Sequence, residues 1–280
     1  MLAYRHAFHA GNHADVLKHV VFAQVLQHMG QKDKPYWLID THAGGGGYAL
    51  GGREAQTKAE YLNGIARIWQ RQDAPPAVAE YLALVRDFNP AGALIHYPGS
   101  PEIARRLLRP QDRLRLYELH PTEVKILASH QGGFAHTEVH HGDGFEGLKA
   151  QLPPPSRRGV LLIDPSYELK TDYAKVITAV REALQRFAEC VIVVWYPQLN
   201  RLEAAQLPKR LQALAPKSWL HARLTVQQPD AQGFGLVGSG MFVINPPWTL
   251  HESLKPALPW LRDALAQYPG AQCLLTQHAV

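Results

Sequence analysis

The four residues Asp164-Pro165-Ser166-Tyr167 carry the groups needed for chemistry on a flat ring that bears an amino group. The carboxylate of Asp164 and the carbonyl of Pro165 could each accept one hydrogen of such an amine. Two acceptors would shift the nitrogen toward sp³ geometry and free its lone pair for attack on an electrophilic methyl group. Tyr167 offers a face on which a base could stack, an interaction worth about 1–3 kcal/mol. We therefore predict Asp164, Pro165 and Tyr167 as catalytic residues.

A glycine-rich stretch, Asp40-Thr-His42-Ala-Gly44-Gly-Gly-Gly47, directly follows a short apolar run. Glycines let the backbone turn sharply and approach a ligand closely. Such a loop after the first strand of an α/β sheet is typical of nucleotide-type binding sites. The spacing matches neither GxGxxG nor the P-loop pattern, so a merely flexible turn stays open as an alternative.

Three further polar residues lie at positions that suit ligand contacts. Ser100 before Pro101 is predicted as a helix N-cap with proline at the first helical position, and helix N-termini also bind carboxylates. Glu118 ends an apolar run, where an acidic residue in nucleotide-type folds bonds ribose hydroxyls. Asp143 could accept from an adenine amine. A plain cap would explain Ser100 and a turn would explain Asp143, so both alternatives remain.

The elements that must position these residues are seven short apolar runs separated by helix-like stretches. The runs are residues 36–40, 114–118, 135–140, 160–164, 191–196, 219–226 and 241–245. Most are continuously apolar, which is expected of strands covered by helices on both faces. Strand–helix alternation predicts an α/β fold with a doubly wound, mostly parallel sheet of seven strands.

Four of these runs end in a carboxylate or a carboxamide, at Asp40, Glu118, Asp164 and Asn245. Ligands of doubly wound sheets bind at the carboxyl ends of the strands. Any one of the four could be a turn residue, but four together are less easily explained that way. We expect them to line one site.

More than seventy residues separate the first and second runs, although a simple βαβ unit takes about thirty. Within this stretch, residues 56–88 show apolar residues at helical spacing, interrupted at Pro75-Pro76. We predict a small helical subdomain at about 52–92, inserted after the first strand of a single domain that spans residues 1–280.

The chain has 280 residues and a formal net charge of +5. This charge fits a phosphate-rich partner but does not require one. The arginine clusters could also be solvated helix faces. Two isolated cysteines predict no disulfide framework and a reducing compartment. No apolar stretch approaches the roughly 18–20 residues that span a bilayer, so we expect a soluble cytoplasmic protein without membrane contact.

A metal site is not expected, despite fifteen histidines. His13 and His19 are six residues apart and do not share a helix face, and the sequence has neither an HExxH motif nor a cysteine–histidine zinc spacing. Asn12 is instead predicted as the N-cap of a helix, with Asp15 three residues further on.

The first residues of the chain mix aromatic and cationic side chains closely, at Tyr4, Arg5, His6, Phe8 and His9. Such a mixture suits stacking on bases and contact with phosphates. A frayed terminus is the alternative, because first residues are often poorly ordered.

The order of these motifs resembles class I S-adenosylmethionine methyltransferases of the adenine-N6 type. Their signature is Asp, Asn or Ser followed by two prolines and an aromatic residue. Over essentially its whole length the chain is similar to the bacterial 23S rRNA (adenine-N6) methyltransferase J family. The segments that carry this likeness are residues 4–19, Asp40-Thr-His-Ala-Gly44, Tyr97-Pro-Gly-Ser-Pro101, the Asp164 motif and Asn245-Pro-Pro-Trp248.

The resemblance implies a Rossmann-like class I methyltransferase fold, with residues 1–30 lying over the active site. It implies methylation of adenine N6 in naked or immature 23S rRNA by a monomer that uses S-adenosylmethionine and no metal. The implied cofactor site comprises His19, His42, Gly44, Ser100, Glu118, Asp143, Gly144 and Asp164. The implied substrate contacts are Tyr4, His6, Lys18 and Tyr167.

One departure from the general signature is Ser166, which stands where a second proline is usual. Because Pro165 and Tyr167 are retained, we expect altered stiffness of this loop and not lost chemistry. Three alternative functions remain open at this point. The target could be a DNA adenine, or the chain could be a competence-associated protein for the use of external DNA as a nutrient. It could also be an RNA-binding protein with a vestigial cofactor pocket, which the retained acidic residues and glycine loop argue against.

Overall fold

The computed structural model describes residues 4–215, 217–232 and 235–279, so residues 1–3 of the predicted N-terminal segment lie outside the described part. The strands in these ranges are β1 (Trp37–Asp40), β2 (Gly47–Ala49), β3 (His96–Pro98), β4 (Arg113–Glu118), β5 (Thr137–His141), β6 (Gly159–Ile163), β7 (Val191–Gln198), β8 (Trp219–Thr225), β9 (Gly238–Ile244) and β10 (Gln272–His278). The helices are α1 (His13–Gly30), α2 (Arg53–Lys58), α3 (Ile65–Ile68), α4 (Pro76–Asp87), α5 (Ser100–Leu107), α6 (Pro121–Gln131), α7 (Gly144–Gln151), α8 (Thr171–Arg186), α9 (Leu202–Leu214) and α10 (Leu250–Leu265). Two 3-10 turns span His6–Phe8 and Glu60–Asn63.

The central sheet has the strand order β5-β4-β1-β6-β7-β9-β8-β10. The first five strands are parallel, and β9 and β10 each run antiparallel to their neighbours. The predicted α/β class with a mostly parallel sheet is therefore confirmed. The predicted number of seven strands is wrong, because β10 adds an eighth strand in the described ranges. This edge strand is only partly buried and lacks the continuous apolar run that marked the others.

The two faces of the sheet bury two separate sets of apolar side chains. On β6, Val160 and Leu162 contribute to one core and Leu161 and Ile163 to the other. Helices α1, α5 and α10 cover the first face, and α7, α8 and α9 cover the second. This double burial is why the strand sequences are continuously apolar and do not alternate.

Helix α1 begins where Asn12 caps it, with the Asn12 carboxamide oxygen accepting from the backbone N–H groups of Ala14 and Asp15 at 2.9 Å each. The predicted N-cap is confirmed. The helix is buried on almost every side, and even Lys18 and His19 are only 4% and 1% exposed. Burial of charged and imidazole groups in a helix of this kind requires polar partners within the protein.

Asn245 does not belong with the other strand-end residues. It follows β9, which runs opposite to the parallel strands, and therefore lies at their amino ends. Its side-chain amide donates to the carbonyl oxygens of Ala188 and Cys190 at 2.8 and 2.9 Å. The expectation that four strand ends line one site is thus wrong for Asn245, because the sequence did not reveal the reversal of this strand.

The stretch between β1 and β4 carries β2, β3 and four of the helices. Residues 56–88 form several short helical pieces, and Pro75 is the N-cap residue of α4. Helix α4 packs against α1 and α10, and α3 packs against α10. These contacts tie the inserted stretch to the first helix of the chain.

Across the described ranges, no helix is long and apolar enough to cross a membrane.

Gly64 fixes the inserted stretch against the start of α1. The N–H of the next residue, Ile65, donates to the Gly11 carbonyl at 2.8 Å. A methyl group at residue 64 would overlap that carbonyl oxygen and lie 2.6 Å from the carbonyl carbon of Asn12.

We expect Gly64→Ala to lower the free energy of unfolding by about 1–3 kcal/mol, because backbone atoms must move to admit the methyl group. Urea denaturation measures the change. Gly51→Ala is the matched control, since a methyl group there meets no atom within 4 Å. Equal stability of the two variants would show that this contact does not hold the inserted stretch in place.

Candidate active site

A cavity of 560 Å³ lies at the carboxyl ends of β1, β4 and β6. The predicted catalytic, cofactor and substrate residues line it: Tyr4, His6, Lys18, His19, His42, Gly44, Ser100, Glu118, Asp143, Gly144, Asp164, Pro165 and Tyr167. Asp40 and Asn245, also expected at the site from their strand-end positions, are not among the described residues that line it. The parallel strands bring their ends to one edge of the sheet, which is why residues far apart in sequence meet here.

The first described residues form one wall of this cavity. The 3-10 turn His6–Phe8 leads into α1, and ionic contacts hold the residues before and after it. Arg5 pairs with Glu54 at 2.8 Å and with Glu123 at 2.9 Å, and His9 lies 3.0 Å from Glu60. Residues 4–9 are therefore anchored to the inserted stretch and to α6.

A continuous chain of polar contacts runs from this segment to the predicted catalytic carboxylate. The Tyr4 hydroxyl lies 2.9 Å from Nδ1 of His6, and Nε2 of His6 lies 2.8 Å from the Asp15 carboxylate. Asp15 also accepts from Lys18 at 2.9 Å, and the Lys18 ammonium donates to Asp164 at 2.7 Å. Five side chains are thus linked in series, and the buried Lys18 joins Asp15 to Asp164.

Burial and neighbouring charges have opposite effects on the pKa values of the ionisable groups in this series of contacts. Burial alone would raise the pKa of Asp15, but His6 and Lys18 hold it well below its usual range. Burial alone would lower the pKa of Lys18, but Asp15 and Asp164 raise it. For Asp164, burial outweighs Lys18 and its pKa is raised. Lys18 is therefore a cation shared between two carboxylates of unequal environment.

Tyr167 has a strained backbone, with a φ of 53° in the left-handed region that favours glycine. Its ring is only 1% exposed, packs against Tyr173 and Trp195, and its hydroxyl donates to the Trp195 carbonyl at 2.7 Å. Tyr167 thus lies on the cavity wall but offers almost no open face in this conformation. Its role in stacking on a base stays a prediction.

The end of β1 supplies a second buried carboxylate, Asp40. It accepts from the Ser100 hydroxyl at 2.6 Å and from the backbone N–H of His42 at 3.2 Å. Burial raises the pKa of Asp40 to about 6. Ser100 is itself the first residue of α5, whose N-cap residue is Gly99, so the predicted N-cap role of Ser100 is wrong. Its hydroxyl is engaged by Asp40 and not by the helix.

The glycine loop is held against the end of β4. Gly44 has a φ of 62°, which a residue without a side chain adopts freely. Its N–H donates to one oxygen of Glu118 at 2.8 Å, while the other oxygen accepts from the N–H of His120 at 2.7 Å. Both oxygens of Glu118 are thus oriented by the backbone and keep lone pairs for a ligand.

Burial disfavours the charged form of two histidines at the site. Burial lowers the pKa of His42 to about 4 and that of His19 well below its usual range. Nδ1 of His19 lies 2.8 Å from the Tyr97 hydroxyl, whereas its buried Nε2 has no partner among the described residues. An unpaired buried polar atom beside a cavity is costly unless a ligand satisfies it.

Asp143 caps α7, accepting from the N–H of Phe145 at 2.9 Å, and its other oxygen faces Lys175 at 3.5 Å. The sequence left a turn role and a ligand role open for Asp143. Its position on the cavity wall is compatible with both, because a carboxylate can accept more than one hydrogen bond.

Two residues with a place in the site were not predicted from the sequence. Asp15 was assigned only to the first turn of α1, although its spacing of three from Lys18 favours an ion pair on one helix face. Trp195 lines the cavity near the end of β7, and its indole N–H is buried without a partner in the described ranges. Its place near the carboxyl end of a parallel strand was the available signal.

The chain is similar to proteins of known family over most of its length. A model of the family described as "Ribosomal RNA large subunit methyltransferase D, RlmJ" matches residues 33–275. A relative from Escherichia coli (strain K12) named "Ribosomal RNA large subunit methyltransferase J" is 48% identical over 265 residues, covering 95% of this chain and 94% of the relative. A relative of the same name from Haemophilus influenzae (strain Rd) is 44% identical over 266 residues, with the same shares covered.

A solved structure of a protein from Legionella pneumophila is similar in three dimensions. It is 35% identical in sequence, with a TM-score of 0.86 over 97% of this chain and 98% of that chain.

The raised pKa of Asp40 predicts how the stability of the fold depends on pH. A carboxyl whose pKa is higher in the folded state than in the unfolded chain destabilises the fold above the folded value. Above about pH 6, therefore, ionised Asp40 costs stability, and this cost fades as the pH falls from 6 toward the unfolded value near 4.

We expect Asp40→Asn to raise the melting temperature by about 2–4 °C at pH 7.5, and the gain to shrink as the pH falls below 6. Calorimetric melts of both proteins across this range measure the gain. Asp112→Asn is the contrasting control, because Arg109 and backbone donors lower the pKa of buried Asp112. A lower melting temperature for Asp40→Asn at pH 7.5 would contradict the assignment.

Proposed function

The chain belongs to the RlmJ family of ribosomal RNA large subunit methyltransferases, and we propose that it methylates the exocyclic N6 of an adenine in 23S rRNA. It is a methyltransferase that uses S-adenosylmethionine. The observation that supports the adenine chemistry is Asp164, followed by Pro165 and Tyr167, at the carboxyl end of β6 on the wall of a deep cavity.

The residues of the cavity fit S-adenosylmethionine. The orphaned Nε2 of His19 is a polar atom that a ligand would satisfy, and the free lone pairs of Glu118 suit the ribose hydroxyls. Asp143 suits the adenine amine. His42, Gly44, Ser100 and Gly144 complete the proposed wall around the ligand. When bound, the cofactor would supply an activated methyl group.

Asp164 has the position to accept a hydrogen bond from the amine of the target base. In this structure one of its oxygens accepts from Lys18, which also pairs with Asp15. Lys18 can therefore keep one carboxylate as a partner while Asp164 turns toward the base. The Pro165 carbonyl provides the second acceptor, and together they hold the nitrogen lone pair toward the methyl group.

We propose Tyr4, His6 and Lys18 as substrate contacts, because all three line the cavity. Tyr4 stacks on His9 with ring centroids 5.6 Å apart, so aromatic and imidazole surfaces lie side by side at the cavity. Aromatic and cationic groups of this kind bind unpaired bases and phosphates. We propose that the enzyme acts as a monomer without a metal ion, in the cytoplasm, where ribosomal RNA is found.

DNA is the second candidate substrate, because the chemistry at Asp164 does not depend on the sugar. A base buried in a duplex or in a finished ribosomal subunit must be extruded to reach the cavity, at a cost of a few kcal/mol. Naked or immature ribosomal RNA offers unpaired adenines at lower cost.

We expect Asp164→Asn to lower single-turnover methyl transfer to RNA by about 10²-fold or more, because an amide carries no charge and has one accepting oxygen instead of two. Affinity for S-adenosylhomocysteine, measured by calorimetry without divalent ions, should stay within a few fold of wild type. Asp112→Asn, a buried carboxylate outside the cavity, serves as the control. A folded Asp164→Asn protein with wild-type methyl transfer would remove Asp164 from the proposed mechanism.

We expect faster methyl transfer to protein-free 23S rRNA than to an assembled large subunit or to duplex DNA, because only the free RNA presents accessible adenines. Radiolabelled methyl incorporation into the three substrates, in parallel and at equal adenine content, measures the preference. Single-stranded DNA of the same sequence separates the effect of the sugar from that of base pairing. Comparable turnover on duplex DNA would favour the DNA alternative.

A further inference from the structure

Asp15 is a buried carboxylate at the cavity that the methyl-transfer step described above does not use. It is 2% exposed, and its partners are His6 Nε2 at 2.8 Å, the Gly11 N–H at 2.9 Å and Lys18 at 2.9 Å. Three donors around one carboxylate keep it ionised. An ionised carboxylate only accepts hydrogen bonds, so it determines where its neighbours carry their protons.

The position of the proton on His6 follows from this contact. Because Asp15 can only accept, the neutral form of His6 carries its hydrogen on Nε2 and keeps a lone pair on Nδ1. The Tyr4 hydroxyl, 2.9 Å from Nδ1, must then donate to His6. The lone pairs of the Tyr4 oxygen are left free, and among the described residues no other hydrogen-bond partner competes for them.

This order of groups is that of a hydroxyl, an imidazole and a buried carboxylate in series, which elsewhere moves protons at active sites. The hydroxyl end lies at the cavity that also contains Asp164. A base amine that gains a methyl group must lose a proton. Lys18 cannot take it, since the ammonium is already fully protonated between its two carboxylates.

We propose, on the basis of the function proposed above, that Tyr4, His6 and Asp15 form a relay that accepts this proton. As the nitrogen gains the methyl group, one N–H bond breaks and the released proton is transferred to the Tyr4 oxygen. The original hydroxyl hydrogen of Tyr4 passes to Nδ1 of His6. The resulting imidazolium is stabilised by the carboxylate of Asp15, and its proton is later released to solvent. Asp15 acts through His6 and is a positioning residue.

The same contacts explain how the relay is placed. Asp15 lies on α1 next to the Asn12 cap, and its acceptance from the Gly11 N–H fixes the carboxylate in place. His6 is 19% exposed on its side chain and makes a ring contact with Tyr48 at 5.2 Å. The imidazole is thus held between α1 and β2, within reach of solvent.

The test compares Asp15→Asn with Asp112→Asn, a carboxylate of equal burial that accepts from Arg109 and Tyr36 N–H outside the cavity. We expect Asp15→Asn to lower the single-turnover rate on the order of 10²-fold, the usual contribution of general acid–base groups. The KM values for RNA and S-adenosylmethionine should stay within threefold, a change of about 0.7 kcal/mol in binding. Asp112→Asn should keep the wild-type rate.

Chemical rescue provides a readout that a purely structural role of Asp15 would not give. Added imidazole should raise the rate of His6→Ala at least about tenfold by occupying the vacated space, and should have no effect on His6→Ala combined with Asp15→Asn, where nothing orients it. His6 lies outside α1, so rescue of the single variant His6→Ala tests the relay even if proteins that carry Asp15→Asn fail to fold.

A wild-type rate in Asp15→Asn, or failure of imidazole to rescue His6→Ala, would overturn the relay while leaving the proposed function intact. Equal rescue with and without Asp15 would overturn the positioning role of Asp15. Absence of methyl transfer to any RNA by the wild-type protein would overturn the proposed function and the relay together.

Discussion

The ammonium of Lys18, buried between the carboxylates of Asp15 and Asp164, is the interaction on which the site depends. It joins the first helix of the chain to the end of a central strand. Removal of one partner from a buried ion pair typically costs about 3–5 kcal/mol, because the remaining charge has no compensation. The arrangement therefore influences the charge of the proposed catalytic carboxylate, Asp164, and the position of the N-terminal residues at the same time.

The rest of the fold can be understood from the need to support this charge. Parallel strands β1, β4 and β6 end at one edge and present Asp40, Glu118 and Asp164 together. Helix α1 covers that edge and is itself held by the inserted stretch through Gly64. Backbone N–H groups and a hydroxyl satisfy the carboxylates that lack a cationic partner. Each of these three carboxylates thus has a hydrogen-bond or ionic partner close by.

Much of this could be predicted from the sequence, because local chemistry determines it. Continuous apolar runs predicted the strands, and Asn12 predicted the start of α1. The errors have long-range causes. Asn245 was misplaced because the direction of β9 depends on its partner strands. The N-cap role of Ser100 was wrong because its hydroxyl bonds to Asp40, sixty residues away in the sequence. The pairing of Asp15 with both His6 and Lys18 likewise depends on how the first turn folds back on α1.

The most direct test of the shared charge is the titration of Lys18 itself, followed by NMR of its labelled side-chain Cε with Lys18→Arg for assignment. A lysine held between two carboxylates should keep its charge well above the usual pKa near 10.4, because both partners raise it. We predict that the Lys18 signal does not titrate while the exposed lysines do. A Lys18 midpoint at or below that of the exposed lysines would contradict the account.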